Sequence, residues 1–178
     1  MNLRRIGLAL FVVAWIGALT YSVTAGGTSP ERLDDPTART VESNCQSAQR
    51  VLAKLPQLGE HPTPIQTAAR LDRENANLRD FLRRQQAVHP AKKTPATALR
   101  GWLGDWERLV AARERYADEL RTKGRNARFI EPAYKGVEPI ADKMNDWILE
   151  QGTRTNTCNT DALQAEVVNG PRKYETPK

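Results

Sequence analysis

The feature that most constrains this chain is a charge-free apolar segment near its N-terminus. Residues 6–23 contain no charged side chain, and they directly follow Arg4 and Arg5. As an α-helix the segment is about 27 Å long, which matches the hydrocarbon thickness of a bilayer. The two arginines favour a cytoplasmic N-terminus by the positive-inside rule. The pattern predicts a signal anchor over residues 1–25 and a single-pass plasma-membrane protein whose C-terminal part lies outside the cytoplasm.

A cleaved signal peptide is the alternative interpretation of this segment. Val23-Thr24-Ala25 is acceptable as a cleavage site, and cleavage after Ala25 would give a secreted protein. The apolar run exceeds the usual signal-peptide core of about 7 to 15 residues, which favours a retained anchor. The remaining chain has no second apolar run of spanning length, and this excludes a polytopic membrane protein.

The positive net charge does not indicate nucleic-acid binding. The net charge is +6, and Arg4 and Arg5 contribute two of these charges at the cytoplasmic side. In the exported part, the segments 70–74 and 107–115 alternate acidic and basic residues, as solvated helix faces do. A nucleic-acid interface needs a surface of one sign. No nucleic-acid partner is therefore expected.

The exported part is predicted to be an all-α, up-down helical bundle of about four helices over residues 41–168. It follows a flexible stalk at 26–40, rich in Gly, Pro, Ser and Thr, and it precedes a disordered tail at 169–178. Apolar residues at helical spacing, with Pro and Gly between the runs, define its elements. The predicted helices cover 41–57, 64–88, 95–123 and 138–151, with a terminal helix at 161–168 and a short β-hairpin near 127–137.

Two polar residues lie within the predicted apolar seams. Asn75 either fixes the register of the second helix or lies at its solvent edge. Arg113, in the middle of the third helix, either extends outward along its aliphatic stem or pairs with an acidic group of another helix.

Cys45 and Cys158 are predicted to form a disulfide. Cys45 lies in the first turns of the first predicted helix and Cys158 just beyond the fourth, two places at the same end of an up-down bundle. Export places both in an oxidising compartment, where a bridge persists. Closing this long loop would stabilise the fold by about 4 to 5 kcal/mol. Free thiols or an intermolecular bridge are the alternatives.

The sequence carries no recognisable catalytic motif. It has no nucleophile elbow, phosphate-binding glycine loop or metalloprotease helix. His61 and His89 lie beside prolines in connectors, where surface residues are expected. We therefore expect no enzyme activity, no cofactor and no metal site.

Asp105 and Glu107, beside Trp102 and Trp106, are the only arrangement that could suggest a sugar hydrolase. Such an enzyme needs two carboxylates that face each other across a cleft. Asp105 and Glu107 leave one helix in different directions, so the second acid would have to come from elsewhere.

The third predicted helix carries a Trp-x-x-Asp-Trp motif at 102–106 and Arg-x-x-Tyr-Ala at 113–117, and Arg128-Phe129 and the late Cys158 follow it. Over roughly residues 95–163 this pattern resembles that of a group of small actinobacterial single-pass membrane proteins with a helical outer domain. It implies this architecture and location, with no known activity. The polar residues that recur in this group correspond to Asp105, Arg113 and Tyr116 of this chain. They either form a buried polar network or belong to a recognition surface.

These observations predict a membrane-anchored protein of the cell envelope that acts as a protein-interaction or scaffolding module, with residues 6–23 in the membrane and a protein partner outside. A ligand-binding or sensory domain is the alternative, and it would need a pocket lined by Trp102, Trp106 and Trp147. A glycan-active enzyme of the envelope is a third hypothesis, which would need a cleft with two facing carboxylates.

Overall fold

The computed structural model describes residues 32–136, 138–151, 156–164 and 173–174. Within these ranges the chain is mostly helical, and the predicted all-α class is confirmed. The helices are α1 (Asp35–Leu52), α2 (Pro64–Gln86), α3 (Lys93–Lys123), α4 (Ile140–Glu150) and α5 (Thr160–Leu163), and short 3-10 turns cover Gly124–Asn126 and Asn156–Cys158. None of the described helices is both long and apolar enough to cross a membrane. The predicted anchor over 1–25 lies outside the described residues.

Helix α1 begins six residues before the predicted start, so residues 35–40 of the predicted stalk are helical. Asp34 caps the helix, because its side chain accepts a hydrogen bond from the backbone N–H of Thr37 at 3.0 Å. Pro36 occupies the first turn, where the missing N–H costs nothing. Leu33 is buried, and its N–H donates to Oε1 of Gln151 at 3.0 Å. The folded domain therefore starts at about residue 32.

Consecutive helices of the bundle run antiparallel. Gln85 of α2 donates to the carbonyl of Val41, and Asn77 donates to that of Ala48, both at 3.0 Å. Later residues of α1 thus meet earlier residues of α2. The same reversed order relates α2 to α3, where Arg79 pairs with Glu114 and Gln86 with Glu107. It also relates α3 to α4, where Asp105 pairs with Lys143 and Trp102 packs against Trp147.

Local signals position the two longest helices. Thr63 and Gln66 form a capping box at the start of α2. Helix α3 ends at Gly124, whose φ of 59° lies in the left-handed region that favours glycine. Because α3 packs against both α2 and α4, it supplies much of the core. The main core cluster includes Val41, Ala48, Leu78, Phe81, Leu99, Trp106, Leu109, Ile140, Met144 and Ile148.

Short strands flank the start of α4. Strand β2 (Ala133–Tyr134) pairs antiparallel with β3 (Glu138–Pro139), and this is the hairpin predicted near 127–137. Strand β1 (Ile130–Glu131) pairs parallel with β4 (Lys173–Tyr174). Strand β4 lies within the segment 169–178 that was predicted to be a disordered tail, and the other residues of that segment lie outside the described residues. Helix α5 starts close to the predicted position, whereas residues 165–168 of the predicted terminal helix lie outside the described residues.

Candidate functional site

The predicted disulfide joins Cys45 to Cys158. The two Cα atoms are 5.1 Å apart, and the bridge spans 113 positions of the chain. Both cysteines are buried, at 0% and 1% exposure. Because α1 starts at Asp35, Cys45 lies in the middle of that helix and not in its first turns. The bridge therefore fastens the C-terminal segment against the centre of α1.

Arg113 is completely buried and pairs with Glu74 of α2, which confirms the second of its two predicted environments. Its Nη2 donates to Oε2 of Glu74 at 2.5 Å, and its Nε donates to Oδ1 of Asn75 at 2.9 Å. Burial lowers the pKa of Arg113, and the nearby Glu74 carboxylate opposes this shift. Asn75 is buried too, so it belongs to the helix interface and not to the solvent edge.

Glu74 lies between two arginines. Its Oε1 accepts from Nε of Arg70 at 2.5 Å, and Arg70 also donates to the carbonyl oxygen of Pro56. Arg70 is 4% and Glu74 is 0% exposed, so the expectation that segment 70–74 is a solvated face is wrong for these two residues. The Arg70–Glu74–Arg113 triad was missed in the sequence, where alternating charges hide which residues face a neighbouring helix.

Tyr116 does not belong to this network. It is half-buried and packs edge-on against Phe129, with ring centroids 5.7 Å apart. Burial raises the pKa of its phenol. The three positions Asp105, Arg113 and Tyr116 share one helix but have separate surroundings, so they do not form a single network or surface.

Asp105 connects α3 to α4. Its carboxylate pairs with Lys143 and lies 3.6 Å from Arg108. The ammonium of Lys143 also sits 4.0 Å from the centre of the Tyr134 ring. This arrangement of an acid, a lysine and an aromatic face was not predicted, because its lysine and tyrosine come from different elements.

Replacing Asp105 with Asn is expected to lower the free energy of unfolding by about 1 to 2 kcal/mol, because the hydrogen bond from Lys143 loses its anionic acceptor at a nearly buried site. The side chain of Lys143 is 31% exposed, so its ammonium group can be solvated in the variant, and this limits the loss of stability. Thermal unfolding of the purified variant measures this effect. The control is Asp118→Asn, since Asp118 is 77% exposed and pairs with Arg121. Equal stability of both variants would mean that Asp105 does not support the fold.

A small pocket lies beside the Asp105–Lys143 pair, between α3 and α4. Its volume is about 230 Å³, and its walls include Trp102, Met144 and Trp147. The two indole rings are 5.3 Å apart between centroids and inclined by 34°. Small residues of α3 keep it open: a Cβ added at Gly101 would meet no atom within 4 Å. We call this the tryptophan pocket; Ala98, Gly101, Trp102, Asp105, Lys143, Met144 and Trp147 line it.

Trp106 does not line the tryptophan pocket, although the three-tryptophan hypothesis required it. It is completely buried and packs edge-on against Phe81 at 5.7 Å and Trp102 at 6.1 Å between centroids. Within the described part of the chain, the indole N–H groups of Trp102, Trp106 and Trp147 have no hydrogen-bond partner.

The remaining candidate residues are dispersed. Asp105 and Glu107 line different cavities, on either side of α3, so they do not face each other. His61 and His89 are exposed in connectors, as predicted. Among the residues that the structure describes, no three His, Cys, Asp or Glu side chains are grouped so as to hold a metal ion.

Comparison with protein-family models, curated proteins and solved structures gives no match for this chain. Membership of the actinobacterial group therefore stays a prediction. The interpretation of the tryptophan pocket depends on its geometry alone.

Proposed function

We propose that this chain is a membrane-anchored module of the cell envelope that binds a protein partner through the tryptophan pocket. The observation that carries the proposal is the size of this pocket. Small-molecule sites usually measure about 300–1,000 Å³, whereas the tryptophan pocket measures about 230 Å³. A pocket of this size suits one large side chain projected by another protein.

The lining supports this interpretation. Protein interfaces concentrate binding energy where an anchor side chain fills a well-packed pocket with aromatic walls. The tryptophan pocket offers two indoles and Met144, with the Asp105–Lys143 pair as its charged part. An apolar anchor would be buried against the rings, and polar groups around it would contact the ion pair.

The disulfide supports the proposed location. Bridges persist in exported proteins and are rare in the cytoplasm, where thiols are kept reduced. A buried bridge in the domain agrees with an export signal at residues 6–23. The anchor would hold the domain at the outer face of the plasma membrane, and cleavage after Ala25 would release it.

Filling the pocket is expected to abolish partner binding without unfolding the domain. In cells, a photocrosslinking residue at Ala98 of the full chain should capture a discrete partner, and Gly101→Leu should reduce the captured amount at least about tenfold, the loss expected when a hot spot is blocked. Mass spectrometry of the crosslinked species identifies the partner. The added side chain enters open space, so the melting temperature should change little.

The matched control is Gly104→Leu. Gly104 lies on the same helix, a Cβ there also meets no atom within 4 Å, and the residue does not line the tryptophan pocket. Capture that survives Gly101→Leu, or that is lost equally with Gly104→Leu, would contradict the proposal.

A further inference from the structure

A second, larger cavity lies on the other side of α3. It measures about 510 Å³, within the range of small-molecule sites, and it shares no lining residue with the tryptophan pocket. Its apolar part includes Leu99 and Leu103, which are 2% and 5% exposed, together with Val88 of the connector between α2 and α3. We call it the connector cavity.

Four polar side chains line the connector cavity: the basic residues Arg100 and His89, and the hydrogen-bonded pair Gln86 and Glu107. Arg100 is exposed; among the described residues it bonds Thr97, at 3.1 Å, and forms no ion pair. His89 contributes a second exposed nitrogen donor to the lining. Glu107 instead accepts a hydrogen bond from Gln86 at 2.8 Å. The lining thus combines an available guanidinium with a buried leucine surface.

We infer that the connector cavity binds an organic acid with an apolar body. A carboxylate accepts two parallel hydrogen bonds from a guanidinium, which gives both strength and orientation. His89 adds a donor for the same anion. The apolar body would cover Leu99 and Leu103, and Gly104 leaves it room because a Cβ there meets no atom within 4 Å.

This inference goes beyond the proposed function and does not depend on it. The ligand is a carboxylate and not a partner's side chain, and its site lies on the opposite side of α3. Neither membrane anchoring nor the tryptophan pocket is needed for it. Failure of one proposal therefore leaves the other intact.

Calorimetric titration of the purified full chain with 4-phenylbutyrate tests the inference. We expect saturable binding at millimolar concentrations or below, and Arg100→Gln should weaken it about tenfold or more, since a hydrogen bond to a charged group contributes about 1.5 to 3 kcal/mol. The neutral 4-phenylbutanamide should bind correspondingly weakly. Acetate, which has the charge without the apolar body, should not bind measurably.

Matched variants distinguish binding in the connector cavity from effects of any substitution on α3. Gly104→Leu should abolish binding by occupying the cavity, whereas Gly101→Leu and Arg115→Gln should leave affinity within about twofold, a difference below 0.5 kcal/mol. Arg115 is an exposed arginine of the same helix. Arg100 is exposed as well, so Arg100→Gln is expected to fold even if Gly104→Leu does not. Absence of binding, or equal binding by Arg100→Gln and the wild type, would overturn the inference.

The carboxylate can belong to a free acid or to the C-terminus of a peptide. N-acetyl-alanyl-phenylalanine and its C-terminal amide distinguish these sources in the same titration. Tighter binding of 4-phenylbutyrate indicates a free acid, and tighter binding of the dipeptide acid indicates a peptide terminus. Measurable and equal binding of the dipeptide acid and its amide would contradict carboxylate recognition.

Discussion

Removing the disulfide with Cys45→Ala/Cys158→Ala is expected to lower the free energy of unfolding by about 4 to 5 kcal/mol, because the bridge closes a very long loop and so lowers the conformational entropy of the unfolded chain. The bridge spans 113 positions, so the chain-entropy term is near the upper end of its range. A domain of this size is typically stable by about 5 to 15 kcal/mol. The loss therefore amounts to between about a quarter and all of the stability of such a domain.

Urea unfolding of the wild type and the double variant measures this loss. The wild type treated with a reducing agent serves as the control, and its midpoint should approach that of the variant. A small difference between the two samples is expected, because the reduced wild type keeps two buried sulfur atoms that the variant lacks. A variant as stable as the untreated wild type would mean that the bridge contributes nothing to folding.

The same bridge reports the compartment. Cells lysed in a thiol-alkylating agent should yield the protein in its oxidised form, which migrates faster on a non-reducing gel than the reduced form. A protein recovered with two alkylated cysteines would contradict export, since thiols stay reduced in the cytoplasm.

The sequence predicted the helices well because their signals are local. Thr63 before Pro64 and Gly124 after Lys123 mark helix ends without reference to the rest of the fold. The start of α1 was missed even though its cap is also local. Asp34 and Pro36 stand in a segment rich in turn formers, and only the burial of Leu33 against the end of α4 makes that segment part of the domain.

The candidate sites could be predicted only in part, because they depend on contacts between helices. The disulfide followed from compartment and topology. The inward orientation of Arg70 and Glu74 could not be predicted from the sequence. Helix α2 packs between α1 and α3, so it buries a wider face than its leucines indicate. The tryptophan pocket depends on the distance between α3 and α4, and residue spacing within either helix carries no information about it.

The buried Arg70–Glu74–Arg113 triad gives the second large effect. Glu74→Gln is expected to lower the free energy of unfolding by about 3 to 5 kcal/mol, because it leaves two buried arginines without their counter-charge. Both arginine side chains are at most 5% exposed, so water cannot replace the carboxylate. Urea unfolding of the purified protein measures the loss. The matched control is Glu114→Gln, which breaks an exposed pair with Arg79 between the same two helices and should cost less than about 1 kcal/mol.

A double-mutant cycle separates the triad from simple loss of packing. Arg113→Met removes one of the two arginines, so Glu74 keeps Arg70 as its partner and the loss should be smaller than for Glu74→Gln. The double variant Glu74→Gln/Arg113→Met should be more stable than the sum of the two single losses predicts, by about 1 to 3 kcal/mol, because the uncompensated Arg113 charge is gone. If the losses add, Glu74 and Arg113 contribute as independent packing residues and not as an ion pair. A loss for Glu74→Gln no larger than for Glu114→Gln would show that the triad is open to water in solution.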